Sequence, residues 1–203
     1  MLPMPVSSLR WLAPDENRFG IRCLDCREFS RAMITSTGDP TVSNTFTMLR
    51  SSLGEHVRGH LPRNTFLVPC DPSYPSLKGV LDGPLSLASV MEEKWDIYLF
   101  DKHLYFARSW TGNLIFKSDA EFREGRLFIS TISADAKVSG KDRRYIISQV
   151  DYLIKTHLYH HEVPHPLPAG LPDDVEQLAM FSFSQYGRLA AYATFEDTVG
   201  LEL

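Results

Sequence analysis

The sequence predicts an α+β fold in which an antiparallel β-meander, at about residues 85 to 133, is flanked by two or three helices. From residue 85 onward, apolar and aromatic side chains alternate with the two-residue period of strands. Short turn sequences interrupt this alternation at residues 101–102, 111–113 and 124–125, which predicts strands joined in sequence. On both sides of the region, apolar residues recur every three or four positions, which is typical of amphipathic helices.

Before the meander, the sequence predicts loose chain, a strand and a helix, in that order. Residues 1–17 are rich in proline and serine and are expected to be extended or loosely ordered. Residues 18–25, RFGIRCLD, favour a strand. Asp39 and Pro40 are typical of the N-cap and the first residue of a helix. The predicted buried face of this helix consists of Val42, Phe46, Leu49 and Leu53.

Two further segments lie near the start of the meander. Residues 65–70, TFLVPC, predict a short strand, whereas residues 71–84 are so rich in turn-forming residues that they predict a surface loop. Aromatic residues occupy both alternating sets in residues 95–100 and 103–106. Both faces of the sheet are therefore expected to be covered, by helices or by another chain.

The most regular helical pattern covers residues 141–160. Its apolar positions fall on one face at about 100° per residue, and its charged positions fall on the opposite face. The apolar face consists of Ile146, Ile147, Val150, Leu153, Ile154 and Leu158, and the charged face of Lys141, Arg144, Asp151 and Lys155. The proline-rich residues 162–172 predict a stiff connector rather than a helix. Residues 177–195 fit either a hairpin or a helix, and the alternation around Gly187 favours the hairpin.

Composition and charge limit the classes of protein that fit. A chain of 203 residues predicts one α+β domain, residues 1–203. A net charge of -4 and a pI near 6.0 disfavour a nucleic-acid partner. No apolar run reaches the length of about eighteen residues that a membrane helix needs, so no membrane partner is expected. Three cysteines are too few for a disulfide framework, which predicts a cytoplasmic protein.

A histidine-rich segment raises the question of a metal site. His157 and His161 are four residues apart and would share a helix face, and His165 would follow in the connector. Such a pair with a third ligand can bind zinc, and Glu162 would be the general base of a metal-dependent hydrolase. The hydrolase motif HExxH is absent, however, and histidines also suit a helix C-terminus, where the partial charge is negative. We favour the helix end and predict no cofactor.

Two smaller patterns give weaker signals for chemistry. His56 and His60 also have the spacing of a ligand pair, but Gly59 lies between them and Pro62 follows. The Cys23–Cys26 pair lacks the further ligands of a zinc site and the helix-start context of a redox pair, so two buried thiols are the favoured interpretation. The sequence also lacks dinucleotide, P-loop, nucleophile-elbow and EF-hand motifs. An enzyme is therefore the less favoured class.

The most distinctive stretch is residues 92–113, where aromatic residues accompany arginine. These residue types anchor protein interfaces. The candidate binding residues are Trp95, Tyr98, Tyr105, Arg108 and Trp110. We expect a non-catalytic bacterial protein of an accessory or immunity kind that binds a protein partner through an aromatic sheet surface. The sequence leaves open whether the protein forms a homodimer. The small-ligand alternative is an anion pocket formed by Arg108 and Trp110.

Overall fold

The computed structural model describes residues 8–77, 79 and 81–201 and has an α+β fold with an antiparallel sheet and flanking helices, which confirms the predicted fold class. The α-helices of the described residues are α1 (Arg27–Ala32), α2 (Pro40–Leu49), α3 (Arg143–His157) and α4 (Val175–Tyr186). Their strands are β1 (Arg10–Leu12), β2 (Cys23–Asp25), β3 (Thr65–Pro69), β4 (Ser73–Pro75), β5 (Gly83–Ser86), β6 (Trp95–Phe100), β7 (His103–Arg108), β8 (Leu114–Arg123), β9 (Arg126–Asp135), β10 (Pro164–Pro166) and β11 (Tyr192–Thr194). None of the helices in these residues is long and apolar enough to cross a membrane.

The chain divides into two compact units. The mixed-sheet unit comprises the described residues of Met1–Ser36, Glu92–Lys94 and Ser148–Leu203. The meander unit comprises those of Thr37–Met91 and Trp95–Ile147. The single domain expected from chain length stays a prediction.

The meander unit contains a seven-stranded sheet in which strands joined by hairpins lie side by side. Its strand order is β3-β9-β8-β7-β6-β5, β4 also pairs with β9, and every pair is antiparallel. Two hairpin turns lie where the sequence predicts them: Asp101 and Lys102 have φ of 50° and 62°, and Glu124 and Gly125 have φ of 52° and 71°. Two consecutive left-handed residues match the twist of the strands that they join.

Both faces of this sheet are covered at β6, as the alternating aromatic residues predict. All six residues of β6 are buried, although successive side chains point to opposite faces. One cluster within the unit consists of Val57, Tyr98, Phe100, Tyr105 and Ala107. The backbone of Gly54 (φ 99°) comes so close to it that a Cβ would lie 2.6 Å from the Tyr98 ring. The segment after α2 therefore packs on the sheet through a residue that has no side chain.

Two predictions for the meander unit need correction. Asp39 does cap α2, since its Oδ1 accepts a hydrogen bond from the Thr41 amide at 2.8 Å. However, α2 ends before Leu53, and this side chain is 63% exposed instead of lying on a buried face. Residues 71–84 are also not a loop throughout, because β4 lies within them and β5 begins there.

The mixed-sheet unit joins short strands from opposite ends of the chain. Its strand order is β1-β2-β11-β10, with β10 parallel to β11 and the other pairs antiparallel. The pairing of Leu24 with Ala193 brings β2 and β11 together. Within the segment expected to be extended or loose, Arg10–Leu12 is a strand, and residues 1–7 lie outside the described residues. The predicted strand at 18–25 is reduced to Cys23–Asp25.

The C-terminal part of the mixed-sheet unit differs most from expectation. The prediction of a hairpin in residues 177–195 is wrong, because α4 occupies most of them and a 3-10 helix, Gly187–Leu189, precedes β11. The Asp174 side chain begins α4 by accepting from the Gln177 amide at 2.9 Å. The buried residues of α4 have helical spacing: Leu178, Ala179, Ser182, Phe183 and Tyr186. The connector contains no helix, as predicted, but it does form the short strand β10.

The second half of α3 is buried on every side, which corrects the predicted charged face. Asp151 and Lys155 are both buried, and Lys155 Nζ lies 2.8 Å from Asp151 Oδ2. The same ammonium donates to the carbonyls of Leu201 at 2.7 Å and Thr198 at 3.4 Å. A buried ion pair of this kind needs such additional partners to offset desolvation. Helical periodicity cannot show partners that lie so far along the chain.

Candidate functional site

The predicted aromatic binding residues lie mostly in the interior of the meander unit. Trp95, Tyr98 and Tyr105 are 2%, 0% and 1% exposed. Trp95 stacks on Phe116 at 5.8 Å, and Tyr98 stacks on Phe100 at 6.4 Å between ring centroids. These side chains therefore form core, and they do not present an aromatic surface.

Arg108 and Trp110 are partly exposed, and each has a structural contact. Trp110 Nε1 donates to the Met91 carbonyl at 2.7 Å. The Arg108 guanidinium lies 4.9 Å from the centroid of the Trp95 ring, a cation–π contact. Both contacts fix the end of the β6–β7 hairpin within its own unit.

The histidine-rich segment includes the end of α3. The helix ends at His157, and His160 has a left-handed φ of 56°. The His161 amide then donates to the Lys155 carbonyl at 2.9 Å and satisfies a carbonyl of the last turn. His157 and His161 therefore do not share a helix face as predicted. His157 is buried with Nδ1 2.9 Å from the Thr156 hydroxyl, and burial lowers its pKa to about 4.

His165 lies beside a serine, but the arrangement does not activate a nucleophile. His165 Nε2 is 2.8 Å from Ser182 Oγ, and both residues are fully buried. The Ser182 hydroxyl donates to the Leu178 carbonyl at 2.7 Å, so Nε2 must supply the proton of the bond between His165 and Ser182. A general base would need the opposite direction of donation. Burial lowers the pKa of His165 to about 3, which keeps the ring neutral.

The predicted metal ligands do not come together. Among the described residues, no group of three or more histidine, cysteine, aspartate or glutamate side chains could hold a metal ion. His157 and His165 are buried, whereas His161 is exposed. Cys23 and Cys26 are buried free thiols, and burial raises their pKa to about 11 and about 12, so neither is a reactive thiolate.

The side chains that do converge in the mixed-sheet unit are arginines that the sequence pattern does not single out. Arg27 and Arg31 lie on one face of α1, because they are four residues apart. Together with Arg188, His160 and His161 they line a cleft of about 450 Å³, which we call the arginine cleft. Thr156, Glu162, Leu189 and Ala191 complete its lining.

Backbone conformation places Arg188 in this cleft. Gly187 has φ of 64° at the start of the 3-10 helix, and a Cβ there would lie 1.7 Å from the Glu92 carbonyl oxygen. The Arg188 amide donates to the same carbonyl at 3.0 Å. Only glycine permits this approach, so the residue before Arg188 fixes the position of its guanidinium.

Arg27 is the most fully neutralised arginine of the cleft. Its Nη2 donates to Asp25 Oδ2 at 2.7 Å and its Nε to Asp25 Oδ1 at 3.0 Å. Burial raises the pKa of Asp25, but the hydrogen bonds from Arg27 outweigh burial and leave that pKa below its usual value. Asp25 thus orients one guanidinium of the cleft rigidly.

The other arginines have only distant carboxylate neighbours. Arg31 Nη2 lies 3.7 Å from Glu162 Oε1, and Arg188 Nη2 lies 3.6 Å from Glu92 Oε2. These distances exceed those of a strong charge-assisted hydrogen bond. Glu162 is the one carboxylate among the lining residues, and Asp25 and Glu92 pair with Arg27 and Arg188 from outside the lining. An anion in the cleft therefore competes mainly with the long contacts of Arg31 and Arg188.

This arrangement can bind an oxyanion. A guanidinium presents a planar fork of donors that matches phosphate and carboxylate oxygens, and the histidines add donors when protonated. The spacing of Arg27 and Arg31 was a visible signal for one side of the cleft. Comparison with protein-family models, curated proteins and solved structures gives no significant match to the chain.

Proposed function

We propose that this protein is a non-catalytic binding protein that holds a small, multiply charged anion in the arginine cleft. The observation that carries the proposal is the convergence of Arg27, Arg31 and Arg188 on one cleft with a single carboxylate in its lining. A multiply charged anion can replace the long contact between Arg31 and Glu162 without leaving Arg31 unpaired, and Glu162 keeps Arg18 at 3.6 Å.

The chemical class of the ligand follows from the guanidinium groups. Phosphate and polycarboxylate groups both accept bidentate hydrogen bonds from arginine. The cleft volume of about 450 Å³ is within the range for a small molecule. Inorganic pyrophosphate represents the phosphate ligands and citrate the polycarboxylate ligands, and both serve as probes.

The non-catalytic part of the proposal is supported by the direction of hydrogen bonding at His165 and by the protonated, buried thiols. The alternative metal-dependent hydrolase has no ligand cluster in the part of the chain that the structure describes. A protein partner stays a prediction, and it needs a surface other than the buried residues Trp95, Tyr98 and Tyr105. The free cysteines support the proposed cytoplasmic location.

Isothermal titration of the full chain with pyrophosphate, and separately with citrate, tests the proposal. We expect at least one probe to bind at low ionic strength with Kd below about 1 mM. Arg31→Glu should weaken that binding at least about tenfold, because it reverses one charge of the cleft. Arg22→Glu is the matched control, since Arg22 is an exposed arginine of the same unit, paired with Asp173 at 3.3 Å and absent from the cleft lining.

Two results would contradict the proposal. One is that neither probe binds at about 10 mM in low salt, a concentration that would detect even a weak site. The other is that Arg31→Glu and Arg22→Glu weaken binding equally, which would indicate non-specific attraction to positive charge.

A further inference from the structure

The meander unit contains a second cavity, of about 550 Å³, at one end of three strands. The segment before β3, the start of β8 and the turn after β9 supply its lining. The lining residues that bear on its chemistry are His56, Leu61, Arg63, Asp135, Lys137 and Val138. We call this the strand-end cavity.

Two cations line the strand-end cavity without a polar partner in the described part of the chain. Within the described residues, neither the Arg63 guanidinium nor the Lys137 ammonium has a hydrogen bond, an ion pair or an aromatic ring contact. Some other exposed arginines of the same unit do have carboxylate neighbours; Arg58, for example, lies 3.2 Å from Asp101. Two cations held at one cavity repel each other, and an anion between them would relieve this repulsion.

The single carboxylate of the cavity neutralises only part of this charge. Asp135 is buried, and its Oδ1 accepts from the Lys137 amide at 3.0 Å and from Asn64 Nδ2 at 3.4 Å. These bonds fix the turn that carries Lys137. His56 adds little charge at neutral pH, because burial lowers its pKa. Two cations against one carboxylate leave an excess of one positive charge, which suits a monoanion.

The cavity also offers apolar surface beside the two cations. Leu61 and Val138 are 58% and 59% exposed although both line the cavity. A single exposed apolar residue is ordinary, but two that flank one concave site form a surface that a ligand can cover. Covering them removes apolar area from water, at about 25 cal/mol per Å².

We infer that the strand-end cavity binds an amphiphilic monocarboxylate, with its carboxylate between Arg63 and Lys137 and its apolar body against Leu61 and Val138. The ligand differs in charge and in shape from the anion of the arginine cleft, and the two sites lie in different units. This inference does not depend on the proposed function.

Titration of the full chain with octanoate, and with acetate as the matched probe without an apolar body, tests the inference. Octanoate is expected to bind at least about tenfold more tightly than acetate, because only octanoate covers the apolar wall. Arg63→Glu should weaken octanoate binding at least about tenfold. Arg123→Glu is the control, since Arg123 ends β8 at the opposite end from the cavity.

Arg63 is exposed and its side chain has no hydrogen bond, ion pair or ring contact among the described residues, so Arg63→Glu is expected to fold, and circular dichroism verifies this. If it does not fold, Lys137→Ala replaces it with the same expected loss. Equal binding of octanoate and acetate would overturn the inference, and so would equal weakening by Arg63→Glu and Arg123→Glu. An absence of octanoate binding at about 10 mM would overturn it as well.

Discussion

The arginine cleft and the strand-end cavity differ in how the charge of their cations is balanced. In the arginine cleft, Arg27, Arg31 and Arg188 each have a carboxylate within 4 Å, at distances of 2.7, 3.7 and 3.6 Å. In the strand-end cavity, Arg63 and Lys137 have none among the described residues. A ligand of the first site must compete with internal anions, whereas a ligand of the second meets unpaired cations. This difference predicts that the arginine cleft prefers ligands of high negative charge and that the strand-end cavity prefers ligands with a large apolar part.

A second comparison is between an ion pair of the mixed-sheet unit and one of the meander unit, each with a buried carboxylate. In the mixed-sheet unit, Asp151 and Lys155 are one helical turn apart on α3. In the meander unit, Arg50 at the end of α2 makes a bidentate pair with the fully buried Asp96 of β6, at 2.6 and 3.0 Å. The first pair lies within a helix and binds a distant chain segment, and the second joins a helix to a sheet directly.

The largest expected effect is on stability, from removing one partner of either pair. Asp96→Ala or Asp151→Ala should lower the free energy of unfolding by about 3 to 5 kcal/mol, because each leaves a cation without its buried partner. Asp96 also accepts the Ala88 amide at 2.8 Å, so its removal leaves a second group unpaired. Urea denaturation of the purified variants measures both losses.

A double replacement distinguishes the two pairs. Asp151→Leu with Lys155→Met should recover part of the loss, because apolar side chains of similar size can fill the buried site, although the carbonyls of Leu201 and Thr198 lose their donor. Asp96→Leu with Arg50→Met should recover less, since the Ala88 amide stays without its acceptor. Equal recovery in both units would show that the two pairs are energetically equivalent.

The next effect concerns the glycine that places Arg188. Gly187→Ala should cost about 2 to 4 kcal/mol, because it combines a left-handed φ with a clash against the Glu92 carbonyl. Gly170→Ala is the matched control in the same unit, with φ of 89° and open space around its Cβ, and should cost about 1 to 2 kcal/mol. Thermal denaturation compares them, and a smaller loss for Gly187→Ala than for Gly170→Ala would contradict the packing described.

The next expected effect concerns acid, which should lower the free energy of unfolding of the mixed-sheet unit more than that of the meander unit. Burial lowers the pKa of His157 to about 4 and of His165 to about 3, against about 6.5 in an unfolded chain. The unfolded state therefore binds more protons, so the stability that the neutral rings contribute is complete above about pH 6.5 and falls as the pH drops toward 4. In the meander unit, His60 and His103 are at least partly exposed, and the lowered pKa of His56 adds a contribution of the same sign from one exposed residue, against two buried rings in the mixed-sheet unit.

Urea titrations followed by NMR, with amide signals from each unit, measure this difference at about pH 7 and about pH 5. The free energy of unfolding of the mixed-sheet unit should fall more between these values than that of the meander unit. His157→Gln with His165→Gln should reduce the fall in the mixed-sheet unit, even if the variant is less stable at pH 7. An unchanged fall in this variant would show that other groups cause the acid sensitivity.

Whether the sequence predicts an element of this structure depends on how far apart its interacting residues are along the chain. The meander is predictable because its alternation and its turns at Asp101–Lys102 and Glu124–Gly125 are local features. The mixed sheet is not, because strands of three residues such as β1 and β11 are too short to show a period, and Leu24 finds Ala193 only in the folded chain. The helix α4 lies between these cases, since its buried residues had helical spacing that alternation around Gly187 obscured.

The same reasoning applies to the candidate sites. The aromatic residues of β6 and β7 are distinctive in the sequence, but aromatic residues in both alternating sets indicate burial as much as binding. The arginine cleft needs α1, the segment after α3 and Arg188, which only the fold brings together. The charges of Asp151 and Lys155 predict a solvent-facing side, because the sequence does not show that the distant carbonyls of Thr198 and Leu201 accept from Lys155.

A titration of one ¹⁵N-labelled sample of the full chain with pyrophosphate, followed by octanoate, tests the central claim that the two clefts select different anions. We predict that pyrophosphate shifts amide signals of residues 27–31, 160–162 and 188, and that octanoate shifts those of residues 61–64, 113–115 and 135–138. Shifts of the same residues by both compounds, or shifts scattered over exposed lysines and arginines of both units, would contradict it.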